Sequence, residues 1–248
     1  MKYIASCSFG KDSLATIILA LEHGEPLDEV LYCEVMFDEN TSGEVPEHRD
    51  FIYNVAIPYI KGHGLKVTVI RSQKNFVGLF QKKIASGPYA GCCWAWPLCG
   101  RCYVQRDCKV RPMQAYKKSL GDTSEIVQYI GIANDETNRL ARLDGTSLVS
   151  LLAKYGVTES GAVELCKARG LYSPAYEFTD RGGCFFCPNA KWRELRHLRD
   201  HHSELWGRLL SLQDIPNKST ERFNRQLTIA EIESQFQLED NQISLFDL

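Results

Sequence analysis

The chain has 248 residues, 44% hydrophobic and 24% charged, with a formal charge of −2. That length and balance supply enough apolar surface for one sizeable domain, or one domain with appendages, and exclude global disorder. The near-neutral charge excludes a protein that coats nucleic acid by bulk electrostatics. The unusual component is ten cysteines, a density too low for a small disulfide scaffold. Cys92, Cys93, Cys99, Cys102 and Cys108 cluster, Cys184 and Cys187 form a C-x-x-C, and Cys7, Cys33 and Cys166 stand alone. The apolar run at the N-terminus is too short for a secretory segment, and no stretch is long enough to cross a bilayer. A cytoplasmic chain without membrane contact is therefore expected. Thiols there stay reduced, so grouped cysteines point to metal binding or catalysis before disulfides.

In chain order, Lys2 to Cys7 reads as a short apolar strand running into the turn Ser8-Phe9-Gly10-Lys11-Asp12-Ser13. Leu14 to His23 has a helical pattern closed by Gly24. Glu29 to Phe37 reads as a buried strand, Glu47 to Lys61 as a helix ended by Gly62 and Gly64, and Leu65 to Ile70 as a third strand. The β-α-β-α-β order predicts an α/β fold with an open, mostly parallel, doubly wound sheet. Ser86 to Cys108 is rich in Gly, Pro, Trp and Cys and reads as a functional loop. Arg111 to Leu120 is expected as a short helix and Ile126 to Ala133 as a strand. Thr158 is expected to cap a helix reaching Arg169, with Gly170 closing it. Cys184 to Asn189 reads as a tight turn and Lys191 to Leu212 as one long amphipathic helix, followed by a weak helix and a polar tail. The expected division is a main domain over 1–212, with a cysteine-rich insertion at 86–110 and a C-x-x-C turn at 181–190, and an appendage over 213–248.

A strand that ends in Ser-x-Gly-Lys-Asp-Ser and opens a helix suits a pyrophosphate. Small residues let the chain turn so that N–H groups converge. The helix start adds its dipole, Lys11 a charge, and Ser8 and Ser13 hydroxyls. The other reading is an ordinary strand-to-helix turn with Ser and Asp as caps. The spacing is neither G-x-x-x-x-G-K-[ST] nor G-x-G-x-x-G. The segment resembles the PP-loop, S-G-G-K-D-S, of the adenine nucleotide alpha hydrolase-like superfamily, with Phe9 standing where that motif has its first glycine. Met36-Phe37-Asp38 followed by Gly43-Glu44-Val45-Pro46-Glu47 resembles the phosphoadenosine phosphosulfate (PAPS) reductase-like branch, as does Gly131-Ile132-Ala133 with Asp135, Glu136 and Arg139. This resemblance spans roughly residues 1 to 212. It implies Asp38 and Gly131 beside the nucleotide and Arg139 facing phosphate or sulfate. The alternative for Glu136 and Arg139 is a surface i,i+3 pair.

Cys184 and Cys187 sit in Arg181-Gly182-Gly183-Cys184-Phe185-Phe186-Cys187-Pro188, a knuckle that places two thiolates on one side of the backbone. A second pair comes from the middle loop, either Cys99 with Cys102 or Cys102 with Cys108. On the residues alone a structural Zn2+ site stands beside an iron–sulfur cluster. Members of the PAPS reductase-like family hold [4Fe-4S] with middle-loop cysteines and a late C-x-x-C. Arg106-Asp107-Cys108-Lys109-Val110-Arg111-Pro112 looks like the family's middle-loop segment preceding a helix, so the resemblance implies Cys102, Cys108, Cys184 and Cys187 as ligands, with Cys99 in reserve. Cys92 and Cys93 stay unassigned. Cys7, Cys33 and Cys166 read as core thiols, and Trp94 and Trp96 as packing rather than base-stacking residues.

Arg101, Arg106, Lys109, Arg111, Lys117 and Lys118 face Asp107 alone within residues 99–118, and Arg181, Lys191, Arg193, Arg196 and Arg199 face Glu194 alone within 181–199. Such segments suit an anionic substrate, or are solvated helix faces. The end, Gln242-Ile243-Ser244-Leu245-Phe246, resembles the peptide by which bacterial replication proteins dock on the sliding clamp. The other reading is a tail folded back on its own domain.

Together the residues and the resemblance imply an ATP-using enzyme that cleaves between the α- and β-phosphates, adenylates an acceptor and releases pyrophosphate in sulfur transfer or nucleic-acid modification. Lys11, Asp12, Ser13, Glu136 and Arg139 would carry the chemistry, and Ser8, Phe9, Gly10, Lys11, Asp12, Ser13, Asp38 and Gly131 would bind the nucleotide. ATP, Mg2+ and a [4Fe-4S] cluster are the expected cofactors. A nucleic acid, a sulfur donor protein and the clamp are the expected partners. Two alternatives stand beside it: a PAPS or adenylylsulfate reductase using an external thiol, and a non-catalytic, DNA-associated nucleotide-binding protein. No cysteine follows Cys187, so the nucleophile of the reductases' E-C-G-x-H segment is not expected here.

Overall fold

The structure, a computed structural model, describes residues 1–98, 102–180 and 182–246, with side chains to residue 242. In chain order its elements are β1 (Lys2–Cys7), α1 (Lys11–Glu22), β2 (Glu29–Glu34), α2 (Pro46–Phe51), α3 (Ile57–Gly62), β3 (Lys66–Arg71), α4 (Phe76–Phe80), α5 (Arg111–Ser119), β4 (Ile126–Tyr129), α6 (Thr137–Leu140), β5 (Leu148–Val149), α7 (Leu151–Lys154), α8 (Glu159–Ala168), α9 (Trp192–His201), α10 (Ser203–Ser211) and α11 (Ile229–Phe246). They fall into two compact units. The first contains 1–34, 44–72 and 109–182, the second 35–43, 73–108 and 183–248.

The first unit is built on a five-stranded sheet of order β3-β2-β1-β4-β5 with every pair parallel. Residues alternate between its two faces, and both faces are covered. Ala5, Cys7, Val30 and Tyr32 pack with α1 and with Phe51, Ile52 and Ile60. Ile4, Leu31 and Ile126 pack on the other side with Met113, Tyr116 and Leu120 of the α5 region. This is the doubly wound α/β arrangement, with its topological switch between β1 and β4, where ligands bind in such sheets.

β2 stops at Glu34, three residues before the expected Phe37, because its ladder with β3 ends at Glu34–Arg71. The chain then turns back on itself, Gly43 N–H donating to the Val35 carbonyl at 2.7 Å. The helix expected over 47–61 starts at Pro46 and contains a π-turn over Ile52–Ala56 between α2 and α3. Pro58 has no N–H to give and its ring crowds the preceding turn, which the wider turn relieves. The strand expected over 126–133 ends at Tyr129. The long helix expected over 191–212 is two helices broken at His202, with φ −132° and ψ 56°. Neither Gly nor Pro marks that break. α8 has the expected Thr158 cap, its hydroxyl accepting from Gly161 N–H at 3.2 Å. The polar tail is instead helical through Phe246, started by a reciprocal cap between Thr228 and Glu231. No helix among the described residues is long and apolar enough to cross a membrane.

Glu29, at the start of β2, is fully buried and gives a stability prediction. It accepts hydrogen bonds from Thr68 and Tyr116 and pairs with Lys2 at 2.9 Å and Lys66 at 3.1 Å. Burial pushes the carboxyl up, but these four partners outweigh it and bring it from the ordinary 4.5 to about 2. A lowered folded-state value stabilises the protein above the unfolded-state value, and that contribution is lost as pH falls toward about 2. Urea midpoints should therefore fall between about pH 4.5 and 2, with a flatter fall in Glu29→Gln. Equal slopes would contradict this.

Candidate functional site

β1 delivers the chain into the loop at the switch point. Phe9, at the position where the PP-loop has its first glycine, has φ 58°, in the left-handed region. The backbone thus keeps the glycine-type conformation although a phenylalanine is present. The ring is fully buried, edge-on to Tyr32 with centroids 5.0 Å apart. The departure from the motif is an added anchor beneath the loop.

The loop is tied together from inside. Ser13 is 8% exposed, so its hydroxyl is largely turned inward. It donates to the Gly10 carbonyl at 2.9 Å and accepts from Ser8 N–H at 3.3 Å. Phe9 N–H points to Cys7 Sγ at 3.2 Å, and Cys166 Sγ donates to the Lys11 carbonyl at 3.2 Å. Burial pushes the Cys7 thiol up to about 11 and Cys166 up to about 12, so both stay protonated. They are loop supports, in keeping with the expected core role, which buried Cys33 shares.

α1 has Gly10 at its N-cap and no side-chain cap. Its start therefore offers N–H groups and the positive end of the dipole. Lys11 Nζ is 2.7 Å from Asp12 and 3.9 Å from Glu159 of α8. Lys11 N–H donates to the Tyr176 hydroxyl at 2.9 Å. His48 is 3% exposed and bridges Ser8 carbonyl, 3.2 Å from Nε2, and Ser173 Oγ, 2.9 Å from Nδ1. Burial raises the Cys7 and Cys33 thiols, and the charge of Lys109 partly offsets it in both. His48, Lys109, Glu159 and Tyr176 were absent from the sequence-derived site, because no local spacing connects them to the loop.

Gly131 follows β4 and meets the loop directly. A Cβ there would lie 2.6 Å from the Asp12 carbonyl carbon and 2.7 Å from Ser13 N. The two motifs thus form one surface. Around it, Glu136 accepts from Ala133 N–H at 3.1 Å and pairs with Arg139, three residues on, while Asp135 accepts from Glu159 N–H at 3.1 Å. Arg139 is therefore engaged by Glu136, and both acids shape the segment.

In the second unit, Asp38 accepts from Asn40 and Thr41 N–H at 2.9 and 2.8 Å and pairs with Arg208. Arg208 lies 4.9 Å over the Phe37 ring. A cleft of about 500 Å³ opens there, lined also by Asn75 and Gln81. The C-x-x-C turn is anchored by its two middle residues. Phe186 stacks on Phe76 at 4.1 Å, and Phe185 lies 5.0 Å from Phe37. Cys187 N–H closes the turn on the Cys184 carbonyl at 3.1 Å. Trp96 belongs to the same aromatic core, edge-on to Phe80 and Phe223, which fits the packing reading.

Cys102, Cys108, Cys184 and Cys187 all belong to this unit, and no disulfide joins the described cysteines. Burial and then the charges of Cys102 and Cys108 push the Tyr103 phenol up. Soft thiol donors on two segments match an iron–sulfur or zinc centre in kind. Among the described residues, no three of these sulfurs lie within 4.8 Å of one another. Cys99 lies outside the described residues, as do Arg101 and Arg181.

The second basic segment is partly consumed internally. Arg196 pairs with Asp200, Glu239 and Asp240, and Arg199 with Glu233 and Asp240, joining α9 to α11. Of the clamp-like peptide, Gln242 is on α11 and exposed, and the backbone remains helical to Phe246. The side chains of residues 243–246 lie outside the described residues.

No protein-family model matches the chain, and no curated protein matches it. Among solved structures, it is similar to the U34-tRNA thiolase NcsA from Methanococcus maripaludis with its [4Fe-4S] cluster. The identity is 13% and the TM-score 0.45, over 95% of this chain and 80% of that one. A likeness that loose carries no conclusion about activity.

Proposed function

We propose that this chain binds ATP on the loop Ser8–Ser13 and cleaves it between the α- and β-phosphates, adenylating an acceptor and releasing pyrophosphate. The observation that carries this reading is the uncapped start of α1 at the β1/β4 switch point, with Lys11 in its first turn and the Gly131 backbone packed against it. Lys11 and the loop N–H groups not already engaged would hold the departing pyrophosphate, where negative charge grows, and Mg2+ would offset that charge. The Ser13 hydroxyl keeps the loop closed, and Asp12 and Glu159 orient the lysine.

The acceptor belongs to sulfur transfer or nucleic-acid modification, in line with the PAPS reductase-like resemblance and the grouped cysteines. Cys102, Cys108, Cys184 and Cys187, with Cys99 in reserve, would hold a [4Fe-4S] cluster, which when bound supplies a soft site able to carry sulfur. Zn2+ is the competing occupant. A sulfur donor protein, a nucleic acid and, through Gln242–Phe246, the sliding clamp complete the proposed partners.

The test is labelled ATP with protein purified without oxygen. AMP plus pyrophosphate is the expected product, and Lys11→Ala should lower the rate by about 100-fold or more with an unchanged circular dichroism spectrum. Sulfite release from PAPS, or binding without turnover, would sink the proposal. Iron and sulfide assays should find both, and zinc alone would replace the cluster assignment.

A further inference from the structure

Tyr176 lies in the short turn Pro174–Glu177, brought to the loop from 165 residues away along the chain. Its ring stacks on Tyr172, centroids 4.8 Å apart and planes 22° apart, which fixes the direction of the hydroxyl. That oxygen accepts the Lys11 N–H at 2.9 Å. It also rests over the loop glycine, since a Cβ on Gly10 would lie 3.1 Å from it. The side chain therefore occupies the mouth of the loop beside the residues that would meet a phosphate.

A phenol can accept and donate together. Lys11 uses a lone pair, and the hydroxyl proton has no acceptor among the described residues. Burial holds the phenol up at about 12, with the charge of Asp12 adding to it, so the proton is present at neutral pH. An N–H that polarises the oxygen from behind makes it a better donor in front. A bystander hydroxyl would instead spend this proton on a nearby carbonyl.

We propose that Tyr176 is a phosphate-binding residue whose hydroxyl, held by Lys11 N–H, donates to an oxygen of the pyrophosphate portion of the nucleotide. The assignment rests on the ATP reading above and extends it, completing the anion cradle with a donor from a distant turn. Hydrogen bonds to charged groups are the strong class, so loss of this one should weaken binding roughly tenfold to hundredfold.

The experiment is calorimetric titration of ATP, inorganic pyrophosphate and AMP into the full chain, the Tyr176→Phe variant and Lys11→Ala. Tyr176→Phe keeps the ring stack, so its unfolding midpoint should match the parent. Its affinity for ATP and pyrophosphate should drop by the stated factor, with AMP affinity preserved. Pyrophosphate should also produce a tyrosine ultraviolet difference spectrum in the parent that is missing from Tyr176→Phe, a signature that a merely structural tyrosine does not give. If the parent and Lys11→Ala differ while Tyr176→Phe binds as tightly as the parent or more tightly, the Tyr176 assignment alone falls. If the folded parent binds neither ATP nor pyrophosphate, the nucleotide reading falls and takes this assignment with it. If Tyr176→Phe is unstable, the parent decides, because saturation without a difference spectrum overturns the proposal.

Discussion

Gly131→Ala is expected to cost about 3 kcal/mol or more and to remove nucleotide binding with it. The added carbon would sit 2.6 Å from Asp12 C, 2.7 Å from Ser13 N and 2.8 Å from Asp12 O. All three are backbone atoms in the first turn of α1, so no side-chain rotation relieves the overlap. α1 itself is buried without interruption from Ser13 to Ala20 and packs in the main core of the first unit. A close-packed interior does not yield several tenths of an ångström at one helix end without disturbing its neighbours. Urea unfolding gives the stability loss. Gly62→Ala is the control, because nothing lies within 4 Å of a Cβ at that position. Equal midpoints in the two variants would refute the close-approach argument.

Phe9 provides the second large effect and an inverted order. Removing a buried phenylalanine ring costs about 3–5 kcal/mol. The left-handed backbone at φ 58° carries a penalty of roughly 1 kcal/mol for any residue with a Cβ. Phe9→Ala loses the ring and keeps the penalty, while Phe9→Gly loses the ring and sheds it. Phe9→Gly should therefore be the more stable of the two by about 1 kcal/mol. In a regular helix or strand the order is the opposite, glycine being the worse residue by roughly 0.5–1 kcal/mol. Guanidinium midpoints of the two variants decide it. Alanine at least as stable as glycine would mean that the loop does not require the left-handed conformation.

The α/β class, the strand–turn–helix at Ser8–Ser13 and the helix capped by Thr158 were legible because each is local. Period-two and helical patterns, caps and turn glycines act over a few residues, and their physics does not depend on what packs against them. The core role of Cys7, Cys33 and Cys166 was readable for another reason, because isolated cysteine is among the most buried residue types. Short elements such as α4, α6, α7 and β5 were not, since two to five residues show no period. The break at His202 has no breaker residue to announce it.

The site divides in the same way. Lys11, Gly10 and Ser13 were readable from spacing, whereas Gly131 entered only through the family resemblance. What the linear chain does not contain is that Gly131 touches Asp12, that Tyr176 meets Lys11, or that His48 holds Ser8. Those pairings cost nothing locally and arise only when the sheet places β1 beside β4 and the later segments fold back onto it. The amino-acid sequence by itself determined the strand, the turn and the helix that make the loop. The tertiary structure alone decided why a phenylalanine is tolerated where a glycine was expected, because the burial that offsets its backbone strain comes from Tyr32 on the neighbouring strand β2.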